Sequence, residues 1–149
     1  MQVTTKPYGV IEVDERQKIQ FPFGILGFEH LKWYVLLDAS QAPFYWLQSL
    51  EDPSVAFVMI DPLVFRPDYR LEVSKEELEE IQIQEDDDVL LFSIVTIPEN
   101  HELMSANLQG PIVINRGAKL GRQSIALNPV WKVKHFILEE LAQVKDEAC

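Results

Sequence analysis

The sequence predicts an all-β, mainly antiparallel fold: a small β-barrel-like domain of about ten short strands, with one short helix and a C-terminal helix. Short segments rich in Val, Ile and aromatic residues follow one another closely and are bounded by Gly, Pro, Asn and Asp. Helical periodicity is confined to two segments. The chain of 149 residues, 47% of them apolar, suits one domain with a sizeable core, and we assign residues 1–149 to it.

The strand predictions follow the chain in order. Each segment is short and enriched in side chains that fit a pleated, half-buried surface. The segments are Gln2–Thr5, Val10–Val13, Lys18–Phe21, Trp33–Leu37, Tyr45–Leu50, Val55–Ile60, Tyr69–Val73, Val89–Ile97, Ile112–Asn115 and Gln123–Leu127. Between the last two, Asn115–Arg122 (NRGAKLGR) carries Gly and basic residues and predicts a basic hairpin turn. So many strands in a small chain favour a closed or nearly closed barrel or sandwich.

Two segments carry the pattern of helices. Ser74–Ile81 (SKEELEEI) begins with a serine that Glu77 follows three residues later, which is the pattern of a capping box. From Ile137 onwards, apolar residues recur at helical spacing, with Glu early and Lys late, as the helix dipole favours. We therefore predict a short helix over the first segment and a helical tail over 136–149.

The charge balance restricts the class of partner. The formal net charge is −11 and the sequence pI is about 4.6. Such a surface repels nucleic acid, whose binding needs clustered Lys and Arg, and it favours basic protein partners. A net charge of this size also simply keeps a protein soluble, and the sequence leaves both interpretations open. We expect no direct binding of nucleic acid.

Cysteine usage and hydropathy indicate a soluble, cytoplasmic protein. The single cysteine, Cys149, is the last residue, so the sequence offers no internal disulfide and no cysteine-based metal site. The amino-terminal MQVTTKPYG lacks the apolar region of a signal peptide. Charge-free runs fall short of the ~18 residues that a membrane-spanning helix needs. We expect a cytoplasmic location without a membrane association.

Catalytic patterns are missing from the sequence. His30, His101 and His135 are far apart and lack metal-ligand spacing, although a barrel could still bring them together. The chain has neither the G-x-S-x-G turn of serine hydrolases nor a glycine-rich phosphate loop. Glu85–Val89 (EDDDV) has consecutive acids where a calcium loop alternates its ligands and needs a glycine. We predict no catalytic, cofactor-binding or metal site. The alternative is a barrel that encloses a small ligand or performs metal-assisted chemistry.

Acidic residues concentrate in one strip of the chain. Between Glu72 and Asp88 there are about nine acidic residues against a single base, Lys75. The strip is either a solvated helix-and-turn face or a surface that attracts basic partners and repels RNA. On the second interpretation, the candidate partner-binding residues are Glu72, Glu76, Glu77 and Glu80.

The segment Phe21–Phe28 (FPFGILGF) carries no charge and is broken by Gly and Pro. Leaving its three phenylalanines in water is unfavourable, so we expect at least two of them to pack into the barrel. Gly24 and Gly27 permit the tight turns that this requires. Any apolar surface that remains outside would form part of a docking rim, and Phe28 is a candidate for it.

Two further stretches, Phe44–Leu50 and Leu103–Asn115, are also free of charge. In the second, Asn107 and Gln109 lie within an otherwise apolar run that Pro111 interrupts. Buried amides need hydrogen-bond partners. These two side chains therefore either brace a loop or contact a bound peptide, and on the second interpretation both are partner-binding residues.

Several of these segments together resemble the flagellar assembly factor FliW family. The matching pieces are, in order, TTKPYG, FPFGILGFE, LQSLEDPSVAFVMIDP, VLLFSIVTIPE, SANLQGPIVIN and WKVKH. Each piece alone has little specificity, but in this order and spacing they cover nearly the full chain. The sequence departs from the usual family pattern at Ser105, Gly110 and Lys134, where Thr, Ala and Arg are more common.

The resemblance implies a fold and a role. FliW-like proteins are small β-barrel-like proteins and not enzymes. They bind newly made flagellin in the cytoplasm and, alternatively, the carbon storage regulator CsrA, a dimeric RNA-binding protein that represses flagellin translation. Accumulated flagellin occupies FliW and leaves CsrA free to repress. The resemblance thus implies flagellin and CsrA as partners, and it adds Lys134 to the candidate partner-binding residues.

Overall fold

The structure, a computed structural model, describes residues 1–84 and 89–148. Within these residues the chain forms eleven β-strands and two α-helices. The strands are β1 (Gln2–Thr5), β2 (Gly9–Glu12), β3 (Lys18–Gln20), β4 (Trp33–Asp38), β5 (Phe44–Ser49), β6 (Ala56–Ile60), β7 (Val89–Thr96), β8 (Ser105–Ala106), β9 (Ile112–Asn115), β10 (Leu120–Gln123) and β11 (His135–Phe136). The helices are α1 (Lys75–Glu80) and α2 (Ile137–Ala148). Neither of these two helices has the length and apolar character that crossing a bilayer requires.

Seven of the described strands close into a barrel. β3, β4, β5, β6 and β7 are successive antiparallel neighbours. β7 also pairs with β9 and β9 with β10, and β10 returns to β3 through a parallel contact between Leu120 and Gln20. β8 and β11 extend the sheet beyond β7, while β1 and β2 form a separate hairpin. The predicted all-β, barrel-like fold with one short helix and a C-terminal helix is confirmed.

Strand β7 has no charged residue because both of its faces pack against apolar clusters. Successive side chains in a strand point to opposite faces. Leu90, Phe92 and Ile94 belong to the cluster inside the barrel. Leu91 and Val95 belong to a second cluster on the outer side. This explains why the strand reads as a continuous apolar run instead of an alternating one.

Three apolar clusters stabilise the molecule. The main cluster fills the barrel, where the rings of Phe21 and Tyr34 meet edge to face at 5.1 Å between centroids. The second cluster lies outside β6 and β7 and is centred on Tyr69 and Trp131, with ring centroids 4.7 Å apart. The third lies between the β1–β2 hairpin and β4 and includes Val3. Each cluster buries one side of the elements that surround it.

One carboxylate of helix α2 contacts both a loop and strand β11, in addition to the packing of the helix in the second cluster. Glu140 accepts a hydrogen bond from the Arg66 guanidinium at 2.6 Å and one from Nδ1 of His135 at 3.0 Å. The backbone N–H of Lys132 donates to Nε2 of His135 at 2.8 Å, so the imidazole proton resides on Nδ1. The helical tail predicted over 136–149 begins at Ile137, directly after β11.

One strand prediction is wrong at Tyr69–Val73, which forms no strand. The Tyr69 ring is buried in the second cluster, and its hydroxyl donates a hydrogen bond to the carbonyl of Leu108 at 3.0 Å. The Tyr69 side chain therefore anchors a loop, although the Tyr, Leu and Val residues of the segment Tyr69–Val73 are typical of a strand.

The strand predicted at Gln123–Leu127 is displaced, because β10 covers Leu120–Gln123. The hairpin after β9 places Leu120 opposite Asn115 and so sets the register. The chain leaves the ladder at Ser124, whose N–H donates to the carbonyl of Pro111 at 2.9 Å. The hairpin turn predicted within Asn115–Arg122 is confirmed.

Candidate functional site

The segment Phe21–Phe28 divides its side chains between the core and the surface. Phe21 and Ile25 are buried and Phe28 is half-buried, with its ring 5.2 Å from that of Phe57. Phe23 and Leu26 remain 48% and 78% exposed. The prediction that at least two of the three phenylalanines pack into the barrel is confirmed. The same eight residues thus supply both core and surface.

Two glycines produce this division. Gly24 has φ +67° and Gly27 has φ +88°, a backbone region that other residues rarely adopt. A Cβ at Gly24 would also lie 2.5 Å from the backbone of Glu29. The N–H of Phe28 donates to the carbonyl of Ile25 at 2.6 Å and closes the second turn. The turns permit Phe23 and Leu26 to point outward between buried neighbours.

A second loop, SANLQG, lies beside this segment and is braced by Asn107. The side-chain oxygen of Asn107 accepts hydrogen bonds from the N–H groups of Gln109 and Gly110 at 3.1 and 2.9 Å. Gln109 itself holds the loop through its backbone and leaves its side chain exposed. Of the two amides that the sequence singled out, one thus braces the loop and the other faces solvent.

Gln123 joins the two loops, and the sequence reasoning missed it. Its Nε2 donates to the carbonyl of Gly110 at 3.1 Å, and its Oε1 accepts from the N–H of Leu26 at 3.0 Å. One amide side chain therefore uses both of its ends to hold the loops side by side. A polar residue at the end of a strand gave no indication of this long-range role.

Between the two loops lies a surface cleft of about 340 Å³, which we call the loop groove. Its apolar walls come from side chains that are largely exposed: Phe23, Leu26, Ile125 (57%) and Val133 (59%). Its polar lining comes from Glu29, Asn107, Gln109, Arg122 and Gln123. Single exposed apolar side chains are normally scattered, so four that converge on one cleft make the loop groove the candidate interaction site.

Arg122 connects the loop groove to the acidic helix α1. Its guanidinium lies 5.1 Å from the ring centroid of Phe23 and 3.6 Å from the carboxylate of Glu77, and it also pairs with Glu80. Glu77 in addition accepts a hydrogen bond from the N–H of Ile125 at 3.2 Å. The arginine side chain is only 15% exposed, which makes this a fixed contact and not a loose surface pair.

Helix α1 begins as predicted, with a difference at Glu77. The Ser74 hydroxyl accepts a hydrogen bond from the N–H of Glu77 at 3.2 Å, which is the N-cap half of a capping box. The Glu77 carboxylate, however, turns toward Arg122 and Ile125. Glu77, in the first turn of α1, therefore joins this helix to two residues of the loop groove.

The acidic strip splits into two parts in the structure. Glu77 and Glu80 are paired with Arg122, whereas Glu72 and Glu76 are exposed. The acids at 85–88, which also belong to the predicted strip, lie outside the described residues. Within the described residues, the exposed carboxylates of the strip that are not paired with Arg122 are therefore those of Glu72, Glu76 and Glu79, and the last lies 3.9 Å from Lys75.

The remaining candidates lie at different depths. Phe28 packs against the barrel cluster and is not among the residues that line the loop groove. Lys134 is exposed and directly follows Val133 of the groove wall. The structure thus brings Asn107, Gln109 and, through Arg122, Glu77 and Glu80 to one face. Whether these residues contact a partner stays a prediction.

The histidines have unrelated surroundings. His30 and His101 are exposed, and His135 is buried beside Glu140. In residues 1–84 and 89–148, no group of three or more His, Cys, Asp and Glu side chains is arranged to hold a metal ion.

The family model described as "FliW: FliW protein" matches residues 2–137. The chain belongs to the FliW family. A FliW relative from Treponema denticola, named "Flagellar assembly factor FliW", is 43% identical over 141 residues, which cover 95% of this chain and 96% of the relative. A second, from Alkaliphilus metalliredigens and of the same name, is 39% identical over 150 residues, with 99% and 93% coverage.

A solved FliW structure has the same fold. The crystal structure titled "Crystal structure of the flagellar assembly factor FliW" superposes with a TM-score of 0.85 at 39% identity, and the match covers 92% of this chain and 96% of that one. The FliW resemblance expected from the sequence is therefore confirmed. At Gly110, where the resemblance suggested that Ala is more common, an added Cβ would lie 2.9 Å from Nε2 of Gln123, so that amide would have to move.

Proposed function

We propose that this chain is a flagellar assembly factor that binds flagellin and CsrA as alternative partners. Its membership of the FliW family, with relatives of that name matching nearly the whole chain, supports the assembly role. In the cytoplasm it holds newly made flagellin before export. When flagellin leaves, the chain binds CsrA and relieves the repression of flagellin translation. The protein acts through binding and carries out no covalent chemistry.

The observation that supports this proposal is the loop groove with an acidic flank. Four exposed apolar side chains line the groove, and the exposed carboxylates of Glu72 and Glu76 lie on the adjacent segment and helix. Apolar anchors in a pocket provide most of the binding energy of an interface, and complementary charge provides orientation and specificity. A groove of this kind suits a partner segment with apolar and basic side chains.

CsrA fits this description on charge. A protein that binds RNA presents Lys and Arg to the phosphates. We therefore assign the loop groove and its acidic flank to CsrA. Once docked, the carboxylates lower the positive potential near the RNA site and raise the cost of RNA approach. Because exposed charges are screened, this antagonism weakens as salt increases.

The first experiment tests the partner switch. Size-exclusion chromatography of the chain with flagellin and with CsrA, each alone, should give two separate complexes. When flagellin is added to the CsrA complex, CsrA should elute free. Failure of either partner to bind, or a stable ternary complex, contradicts the proposal.

The second experiment tests the assignment of the groove. Burying a leucine- or isoleucine-sized side chain contributes about 1.5–3 kcal/mol, so the variant Leu26→Ser/Ile125→Ser should weaken CsrA binding by at least about tenfold. The control, Val10→Ser/Leu103→Ser, changes two side chains of similar exposure outside the groove and should bind normally. Equal losses in both variants, or a loss of flagellin binding alone, refutes the assignment.

The third experiment tests the acidic flank. Glu72→Lys/Glu76→Lys should displace less RNA from CsrA than the parent chain, and the difference should shrink at high salt. Glu99→Lys/Glu139→Lys changes the net charge equally at two exposed acids elsewhere and should leave displacement unchanged. If both variants displace RNA as the parent does, the flank takes no part in antagonism.

A further inference from the structure

The barrel has a cleft at one end that is unrelated to the loop groove. It lies where β3, β5 and β7 begin and where β4 and β9 end, and its volume is about 430 Å³. The floor of this cleft is the end of the main apolar cluster. The side chains that form it are Ile19, Leu36, Tyr45, Leu90, Phe92 and Ile114.

The rim of this cleft is basic, although the chain as a whole is acidic. Arg16, Arg116 and Lys119 line it, and these are three of the 13 basic residues in a chain of net charge −11. Arg116 and Lys119 lie on the turn between β9 and β10. We call the cleft with this rim the basic mouth.

Neighbouring groups reduce the basic charge of the rim without removing it. Asp14 binds the Arg16 guanidinium at 2.8 Å, and this contact lowers the pKa of Asp14 to about 2. Arg116 has a contact of its own. The Lys119 ammonium makes no ion pair with a carboxylate of the described ranges. The backbone of Lys119 has φ +58°, and it is fixed by two hydrogen bonds: its N–H donates to the carbonyl of Asn115, and its carbonyl accepts from the N–H of Gln20.

We propose that the basic mouth binds a small amphiphilic anion, with its carboxylate or phosphate head on Arg16 and Lys119 and its apolar body on the floor. Mouths of β-barrels are frequent sites for small ligands, and pockets of about 300–1,000 Å³ accommodate them. An apolar floor favours an alkyl or aromatic body, and two cations at the rim favour one negative head. This site goes beyond the proposed partner switch and does not depend on it.

The floor and rim together restrict the ligand class. A purely polar anion gains nothing from the six apolar side chains, and an apolar cation is repelled by the rim. A neutral amphiphile of the same length gains only the contacts with the apolar floor and no attraction to the rim. Binding should therefore rank an alkyl carboxylate above the matching alcohol, and the alcohol above the matching alkylammonium.

The test uses sodium decanoate below its aggregation concentration, decanol and decyltrimethylammonium as probes in isothermal titration calorimetry. Decanoate should bind with a stoichiometry of one, and amide chemical shifts in NMR should change around the basic mouth. The variant Arg16→Gln/Lys119→Gln should weaken decanoate at least tenfold. The control Lys6→Gln/Lys145→Gln removes the same charge at exposed positions outside the mouth and should bind decanoate normally.

The same anionic chemistry occurs on a membrane surface, so a second arm uses phosphatidylcholine vesicles containing phosphatidylglycerol. The chain should not sediment with these vesicles, because a lipid that stays in the bilayer cannot place its apolar body on the floor of the mouth while its head contacts the rim. Vesicle binding without binding of free decanoate overturns the proposal. Equal affinity for decanoate and decyltrimethylammonium, or an unchanged affinity in the rim variant with its fold intact by circular dichroism, also overturns it.

Discussion

Replacement of Phe28 by Ala tests how the segment Phe21–Phe28 is divided between core and surface. Truncating a fully buried phenylalanine costs about 3–5 kcal/mol. Phe28 is half-buried against the barrel cluster, which reduces that cost to roughly 2 kcal/mol. Its edge-to-face contact with Phe57, at 5.2 Å and 84°, adds about 0.5–1 kcal/mol. We expect the free energy of unfolding to fall by about 2–3 kcal/mol.

Urea unfolding at neutral pH measures this change through the midpoint at constant slope. In thermal unfolding the same loss lowers the midpoint by roughly 5–10 °C for a chain of this size. The matched control is Phe23→Ala in the same segment. Phe23 is 48% exposed and contacts Arg122 at the surface, so its loss should cost less than about 1 kcal/mol.

The two variants should also differ in partner binding. Phe23→Ala should weaken binding at the loop groove while the fold stays stable, whereas Phe28→Ala should weaken it only in proportion to unfolding. If Phe28→Ala leaves the unfolding midpoint unchanged and abolishes partner binding, our placement of Phe28 in the packing of the barrel cluster is wrong. If Phe23→Ala proves as destabilising as Phe28→Ala, our placement of Phe23 at the surface is wrong.

The further predictions concern stability, and each is measured by urea unfolding. Gly121→Ala places a Cβ 2.7 Å from the ring of Phe21 and should cost about 1–3 kcal/mol; a neutral effect would contradict the packing. Burial raises the pKa of both Tyr34 and Tyr69 to about 12, above the ordinary value of 10.0. The unfolded chain therefore loses phenolic protons first, so stability should fall from about pH 10 to about pH 12, and either Phe variant should flatten that slope. At pH 7, Tyr69→Phe should cost about 1 kcal/mol because it removes a hydrogen bond to a backbone carbonyl. Tyr34→Phe should be neutral or stabilising, because the Tyr34 hydroxyl is buried without a hydrogen-bond partner in the described part of the chain; a large loss would show that it has one. Ser74→Ala removes the cap of α1 and should lower the free energy of unfolding by about 1 kcal/mol, whereas Ser74→Thr should retain most of the stability that the cap provides.

Local sequence patterns predict most of the barrel strands and both helices, because these elements depend on neighbouring residues. Val89–Thr96 and Ile112–Asn115 show this best, because each is a mainly apolar run between turn residues. β8 and β11 were missed because a strand of two residues is too short for alternation to be visible. Their pairing depends on the placement of β7, which no local pattern contains.

The candidate site was predictable only in part, for a related reason. Glycine spacing indicated the turns around Gly24 and Gly27, and composition indicated the acidic helix. The contacts that assemble the groove join residues distant in sequence, such as Gln123 with Leu26 and Arg122 with Glu77. A side chain that bridges two loops has no signature in its own neighbourhood, so only the fold shows its role.

The parallel contact between β3 and β10 has a mechanical consequence. Leu120 opposite Gln20 is the one register pair that joins these strands in the described residues, so the barrel should open there first. Phe23 and Leu26 follow β3, while Ile125 follows β10, and all three line the loop groove. Anything seated in the groove thus holds both edges of this junction, and amide hydrogen exchange across it should slow when a polypeptide is bound.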